Sequence, residues 1–362
     1  MEAALAELAD RIRAAAAQGT PLRIRGGGTK DFHGELLQGE LLETSSLRGV
    51  VNYEPSELVV TVRAGTPLAE LEQLLAASGQ CLPFEPPHFG AGATVGGMVS
   101  AGLSGPARAS VGAVRDYVLG LQMINGRGEH LVFGGQVMKN VAGYDVSRLV
   151  AGAMGTLGLV TEVSLKVLPV APAEATLRFE LPQQEALRRL NAWGGQPLPL
   201  NASRWQEEGG TGVLSLRLRG AVAAVEAACR ALGGERLDAG QTAADWNACR
   251  EQAWPWFEQR GGRDLWRLSV PQTAPVLDLP ESPLVEWHGA QRWVRVAAGD
   301  GERVRQAALV AGGHATLFRT DRSDAAGRMT PLAPALATIH ERLKKQFDPA
   351  LVFNRGRLYA QF

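Results

Sequence analysis

Along residues 3–17 apolar positions recur every three or four residues with charged and small ones between them, the pattern of a surface helix that Gln18-Gly19 ends. Residues 21–25 then read as a short strand that runs straight into Gly26-Gly27-Gly28. The β-branched run 58–63 (LVVTVR) is a strand, and Thr66 is placed to cap a helix with Pro67 at its first position and Leu68, Leu71, Leu74 and Leu75 along one face. Segments 119–124 and 129–133, separated by Asn125-Gly126-Arg127-Gly128, form a hairpin, and 159–168 is a further strand. After Pro169 and Pro172 the pattern changes. Strand 213–219 is followed by a helix over 221–232 that Gly233-Gly234 stops; strand 292–297 leads to a helix over 301–311, stopped by Gly312-Gly313, and to strand 315–319. These two similar β–α units, with the alternating strand 265–270 between them, predict an α+β domain on an antiparallel sheet. Six of the eight tryptophans fall between Trp205 and Trp287, and most are expected in core or domain-interface packing; a helix over 332–347 closes the pattern.

Residues 86–120 break the periodicity with glycines at 90, 92, 96, 97, 102, 105, 112 and 120. Glycine at this density lowers the stability of a packed element, and it suits a backbone that approaches something closely. A concave row of main-chain N–H donors around a phosphate is the expected use, and Gly26-Gly27-Gly28 supplies a second such loop; a plain tight turn is the alternative for the triplet. The familiar nucleotide signatures fail. In GAGATVG at 90–96 Val95 stands where a third glycine would complete G-x-G-x-x-G, and no Gly-Lys pair provides a phosphate-loop lysine. No HExxH or GxSxG occurs and the histidines are dispersed, so neither a metal site nor a hydrolase triad is expected.

A formal net charge of zero points away from nucleic acid and from polybasic binding to membranes. Cys81, Cys229 and Cys249 are far apart with no CxxC, which argues against disulfides, structural zinc and a cluster ligated within this chain. The first residues lack a basic and apolar leader, and no apolar run reaches the roughly 20 residues that span a bilayer. The expected location is the cytoplasm; attachment to a membrane through a partner is invisible at this level.

The order RGGGTK, ATVGG…VGAVRDYVLGL, KNVAGYD and GTLGLVT resembles the FAD-binding domain of the p-cresol methylhydroxylase and vanillyl-alcohol oxidase type. The ending FDPALVFNRGR, with LWRLSVP and EWHGAQRW before it, resembles the 2-hydroxy-acid-oxidising branch and, within it, the FAD-binding E-type subunits of bacterial glycolate oxidase. The resemblance implies an α+β flavoprotein: a two-lobed FAD-binding domain over 1–170, an antiparallel-sheet cap over 171–330, and a segment 331–362 returning to the FAD domain. It implies a first pyrophosphate loop at Arg25, Gly26, Gly27, Gly28, Thr29 and Lys30, and a second at Thr94, Gly96 and Gly97, continued by Gly105, Gly112, Arg115 and Asp116. Gly158 and Val160 match positions near the flavin and adenosine, and Lys139 and Tyr144 sit in the KNVAGYD segment. Relatives with covalent flavin carry a His just after the first loop or a Cys in the second. Thr29 follows Gly28 here and no Cys lies between 82 and 228, so non-covalent FAD is implied.

Larger catalytic relatives carry HGDGNxH and EHGxG segments that supply metal ligands and a histidine near the flavin. This chain has Gly299-Asp300-Gly301-Glu302 and no EHG, and Arg355 replaces a usual proline. The implied function is a subunit of a glycolate-oxidising complex, with a homologous larger flavin subunit and an iron–sulfur subunit as partners and a small 2-hydroxy acid as substrate. Two alternatives stay open: a self-sufficient D-2-hydroxy-acid dehydrogenase, and a structural flavin subunit. Oxidising a 2-hydroxy acid needs a carboxylate clamp and a base, for which Arg267, Arg319, His288 and His314 are the candidates.

Overall fold

The computed structural model describes residues 2–135, 145–322 and 325–361. The chain divides into two compact units. The first comprises Met1–Leu103, Ala113–Pro169 and Pro331–Phe362; the second, Ser104–Gly112 and Val170–Thr330.

The first unit has two parts. One is a five-stranded antiparallel sheet in the order Val50–Glu54, Val59–Arg63, Leu159–Lys166, Val118–Ile124, His130–Gly134. Strand alternation explains its inner face. Val60 and Val62 enter a core with Leu71, Leu75, Val163 and Leu165, while Thr61 between them bonds Ser164 across the ladder at 2.8 Å. The other part pairs Leu22–Arg25 in parallel with Glu40–Glu43, against the helix Glu2–Gln18, whose Leu8, Ile12 and Ala15 are buried with Leu22, Leu42 and Phe353. The predicted hairpin is present, with Ile124 opposite His130.

Two local expectations change. The helix Leu68–Ala77 starts after Pro67, which is itself the cap residue, and Thr66 does not cap it. Its Oγ1 accepts from Gly49 N at 2.9 Å, so the hydroxyl fastens a neighbouring turn. Part of the glycine-rich stretch also proves regular: Val95–Ala101 is a helix containing Gly96 and Gly97. A Cβ at Gly96 would lie 2.7 Å from Ala64 Cβ, so glycine lets this helix sit close to the strand end.

The second unit is an eight-stranded sheet whose pairings are all antiparallel, as the two β–α units predict. Helices Gln183–Gly194 and Val222–Leu232 cover one half through Leu187, Leu190 and Val225, and Gly301–Val310 covers the other through Val304 and Ala308. Leu214, Leu216 and Leu218 face these helices, and Ser215 and Arg217 point to the opposite face by alternation. That second face is buried yet polar, carrying Arg204, Arg217 and Glu286. Trp205, Trp246, Trp266, Trp287 and Trp293 are buried in this unit.

Candidate functional site

The first glycine loop begins where the strand Leu22–Arg25 loses its partner. Thr44 N donates to the Arg25 carbonyl at 3.0 Å, and among the described residues the amides of Gly26, Gly27 and Gly28 donate to no protein acceptor. Gly28, at φ +72°, turns the chain, Asp31 N bonds back to Gly28 O at 3.1 Å, and the Asp31 carboxylate takes Arg25 Nε at 3.0 Å. A Cβ on Gly27 would lie 1.5 Å from Gly92 O, and one on Gly26 would lie 2.2 Å from Thr94 Oγ1. These two glycines therefore let the loops touch each other, a nearer constraint than approach to a ligand.

The second loop ends in the helix Val95–Ala101. Thr94 Oγ1 caps it by accepting from Gly97 N at 3.2 Å, while Gly96 N and Val95 N are consumed by Ala64 O and Thr66 O. The two loops, the turn around Gly155 and the chain end at Asn354 and Arg357 enclose a half-open cleft of about 800 Å³, solvent mouth included. Arg25, Gly26, Gly27, Gly28, Thr29, Lys30, Thr94, Gly96, Gly97, Gly158 and Val160 all line it. Lys30 Nζ reaches His88 O at 3.2 Å and lies 5.7 Å from the centroid of the Phe89 ring.

The other expected positions lie elsewhere. Gly105 and Gly112 belong to the second unit, where Gly105 O accepts from Trp287 Nε1 at 3.0 Å and Gly112 ends the turn Arg108–Val111. Arg115 is exposed, and Asp116 caps its own short helix by accepting from Ala113 N at 2.8 Å. Lys139 and Tyr144 lie outside the described residues. Sequence reasoning overlooked Ser100, Met154, Asn354 and Arg357, which also line the cleft. For the last two the one signal was their place in the terminal FNRGR motif.

The cleft fits a dinucleotide such as FAD: three successive glycines that line it have amides with no protein acceptor among the described residues, and a diphosphate is the group that takes such a row.

In the second unit three of the four candidate catalytic side chains, Arg267, His288 and Arg319, already have partners. Arg267 Nε donates to Gln291 Oε1 at 2.8 Å and its guanidinium lies over the Trp287 ring at 5.1 Å. Burial, with the nearby Arg108 charge, lowers its pKa to about 10. His288, at φ +55°, sits between Ser110 Oγ at 2.9 Å and Ser203 Oγ at 3.1 Å, and burial lowers its pKa to about 4. Arg319 Nε donates to Gln252 Oε1 at 2.9 Å, and burial takes its pKa to about 10. His314 opens the strand His314–Arg319, its pKa pushed down by burial and then by Arg267.

A family model described as an FAD binding domain matches residues 3–134. Glycolate oxidase subunit GlcE of Escherichia coli (strain K12) is 46% identical over 354 residues, covering 98% of this chain and 97% of that protein. Glycolate oxidase subunit GlcD of Bacillus subtilis (strain 168) is 31% identical over 159 residues, 43% of this chain and 34% of that protein. A solved structure of alkyldihydroxyacetonephosphate synthase aligns with a TM-score of 0.65 at 13% identity, covering 96% of this chain and 75% of that one, a likeness of fold alone.

Proposed function

The chain belongs to the family of glycolate oxidase GlcE subunits, and from that premise we propose that it is an FAD-binding subunit of a complex that oxidises glycolate or a related 2-hydroxy acid to the 2-oxo acid. Bound FAD supplies a hydride acceptor that can pass electrons on one at a time. The residues of this chain would bind and orient it: the amides of Gly26, Gly27 and Gly28 would hold the diphosphate, and Thr94, Gly158 and Val160 would line the rest of its site. The observation that carries this reading is the row of three cleft-lining glycines whose amides have no protein acceptor among the described residues.

A homologous larger flavin subunit and an iron–sulfur subunit are the partners this reading requires, since no cysteine pair in the sequence is spaced for a cluster. Among the described residues no helix is long and apolar enough to cross a membrane. The proposed location is the cytoplasm, with any membrane contact made by a partner.

The engaged state of Arg267, His288 and Arg319 supports placing substrate oxidation in a partner. An imidazole with a pKa of about 4 is also a weak base at neutral pH. An anaerobic visible spectrum tests this. The isolated chain is expected to carry FAD whose band glycolate leaves unchanged, while the assembled complex bleaches. No flavin in the isolated chain, even after FAD is supplied, overturns the cofactor assignment; bleaching of the isolated chain assigns the oxidation to this chain itself.

A further inference from the structure

The end of the chain is held by an unusual amount of polar machinery. The helix Pro334–Phe347 brings Lys344 into the interior, where the residue is 1% exposed. Its ammonium donates to Asp348 Oδ2, Thr156 O and Phe353 O, each at 2.7 Å, so all three hydrogens are used. Asp348, fully buried, also accepts from Val352 N at 3.0 Å and Phe353 N at 2.8 Å. A buried ion pair persists when its remaining donors and acceptors are met in this way.

From this anchor the chain runs beside the strand Leu22–Arg25. Leu22 N donates to Val352 O at 2.7 Å and Asn354 N to Leu22 O at 2.9 Å. Asn354 then leaves the extended conformation (φ +39°) and its side chain continues the pairing: Oδ1 accepts from Ile24 N at 2.8 Å, and Nδ2 donates to Met154 O at 2.6 Å. Three residues on, the buried guanidinium of Arg357 donates to the carbonyls of Asp31 at 2.9 Å, Lys30 at 3.3 Å and Glu35, while Glu35 N returns a bond to Arg357 O at 2.9 Å. The segment directly after the glycine triplet is thus gathered around one cation from the opposite end of the sequence. With its carbonyls committed there, the loop is held in the shape that leaves the Gly26–Gly28 amides along the cleft.

We propose that residues 348–357 form a clasp that pre-shapes the phosphate loop, with Arg357 and Asn354 as its positioning residues, so that docking of the chain end and binding of FAD favour each other. This rests on the cofactor reading above. A loop ordered before the ligand arrives does not have to be ordered by it, and coupling between two binding events is reciprocal.

The test uses the full chain stripped of flavin and titrated with FAD, read by flavin fluorescence, with carboxypeptidase digestion followed by intact mass. Arg357→Ala is expected to bind FAD about thirtyfold more weakly, the effect of losing charge-assisted bonds to the loop. Arg357→Lys, which keeps the charge without the planar fork, should fall between. In the wild type, FAD should slow digestion from Arg357 inward into the clasp. That second readout needs no variant, so it stands even if Arg357→Ala fails to fold. Wild-type FAD affinity in folded Arg357→Ala, or digestion inward from Arg357 that FAD does not slow, overturns the clasp alone. A wild type that binds no FAD removes the cofactor reading and the clasp together.

Discussion

Two polar clusters, one in each unit, are built on opposite principles. In the second unit buried Glu286 is enclosed by donors: Trp293 Nε1 at 2.6 Å, Gln291 Nε2 at 2.9 Å and Cys249 Sγ at 3.1 Å. Desolvation raises its pKa despite them. The neighbouring arginines lie over indoles, Arg204 4.0 Å from the Trp254 ring centroid and Arg217 4.9 Å from that of Trp246. Arg204 Nη1 has no acceptor among the described residues, and its guanidinium is held instead against the Trp254 and Trp246 rings. In the first unit the strand end at Gly26 leaves three successive amides over, beside a cleft. A cluster that consumes its own donors holds a fold, and one that leaves donors over can hold a ligand.

If that contrast is right, damage to the closed cluster lowers stability and leaves flavin in place. Glu286→Ala strips three buried donors of their acceptor and should cost about 3 kcal/mol in urea unfolding, with normal FAD content in the folded fraction. Flavin loss at unchanged stability would place Glu286 in the cofactor site instead.

His288 sharpens the contrast through pH. Burial lowers its pKa from 6.5 to about 4, so the unfolded chain takes up the proton first as the pH falls. The stability present above 6.5 is therefore lost progressively toward 4, about 2 kcal/mol of it by roughly pH 5. His288→Asn should flatten that limb of the unfolding profile; an identical acid limb in the variant would assign it to another group. The smallest effect belongs to the first unit. Thr94→Ala removes the cap on Gly97 N and should lower stability by about 1 kcal/mol while weakening FAD binding, and an unchanged FAD affinity would exclude the cap from the cradle.

Local chemistry was legible in the sequence. Asn125-Gly126 marked the hairpin, the run into Gly26 marked a strand that ends in a loop, and alternation through 265–270 marked a half-buried strand of the second sheet. Long-range partners were not. Thr66 looked like a helix cap, but Gly49 lies within reach of its hydroxyl only once the turn has folded. Arg357 meets Asp31 across 326 residues, and no spacing rule encodes such a pair. The glycines of both loops were singled out for close approach to a ligand. For Gly26, Gly27 and Gly96, however, the nearest neighbour is the protein itself.

These contacts within the protein restrict which glycine can be used to test the site. Valine at position 27 or 96 would strike Gly92 O or Ala64 and disturb the fold along with the site. A Cβ at Gly97 meets only Thr94 Oγ1, at 3.1 Å, and Gly97 lines the cleft, so a longer side chain there enters the space assigned to FAD. The measurement is the flavin content of purified Gly97→Leu beside the wild type, with urea unfolding as the control for folding. The account predicts a variant that unfolds like the wild type, shows no flavin absorption and takes up no added FAD. A folded Gly97→Leu chain with full FAD occupancy would contradict it.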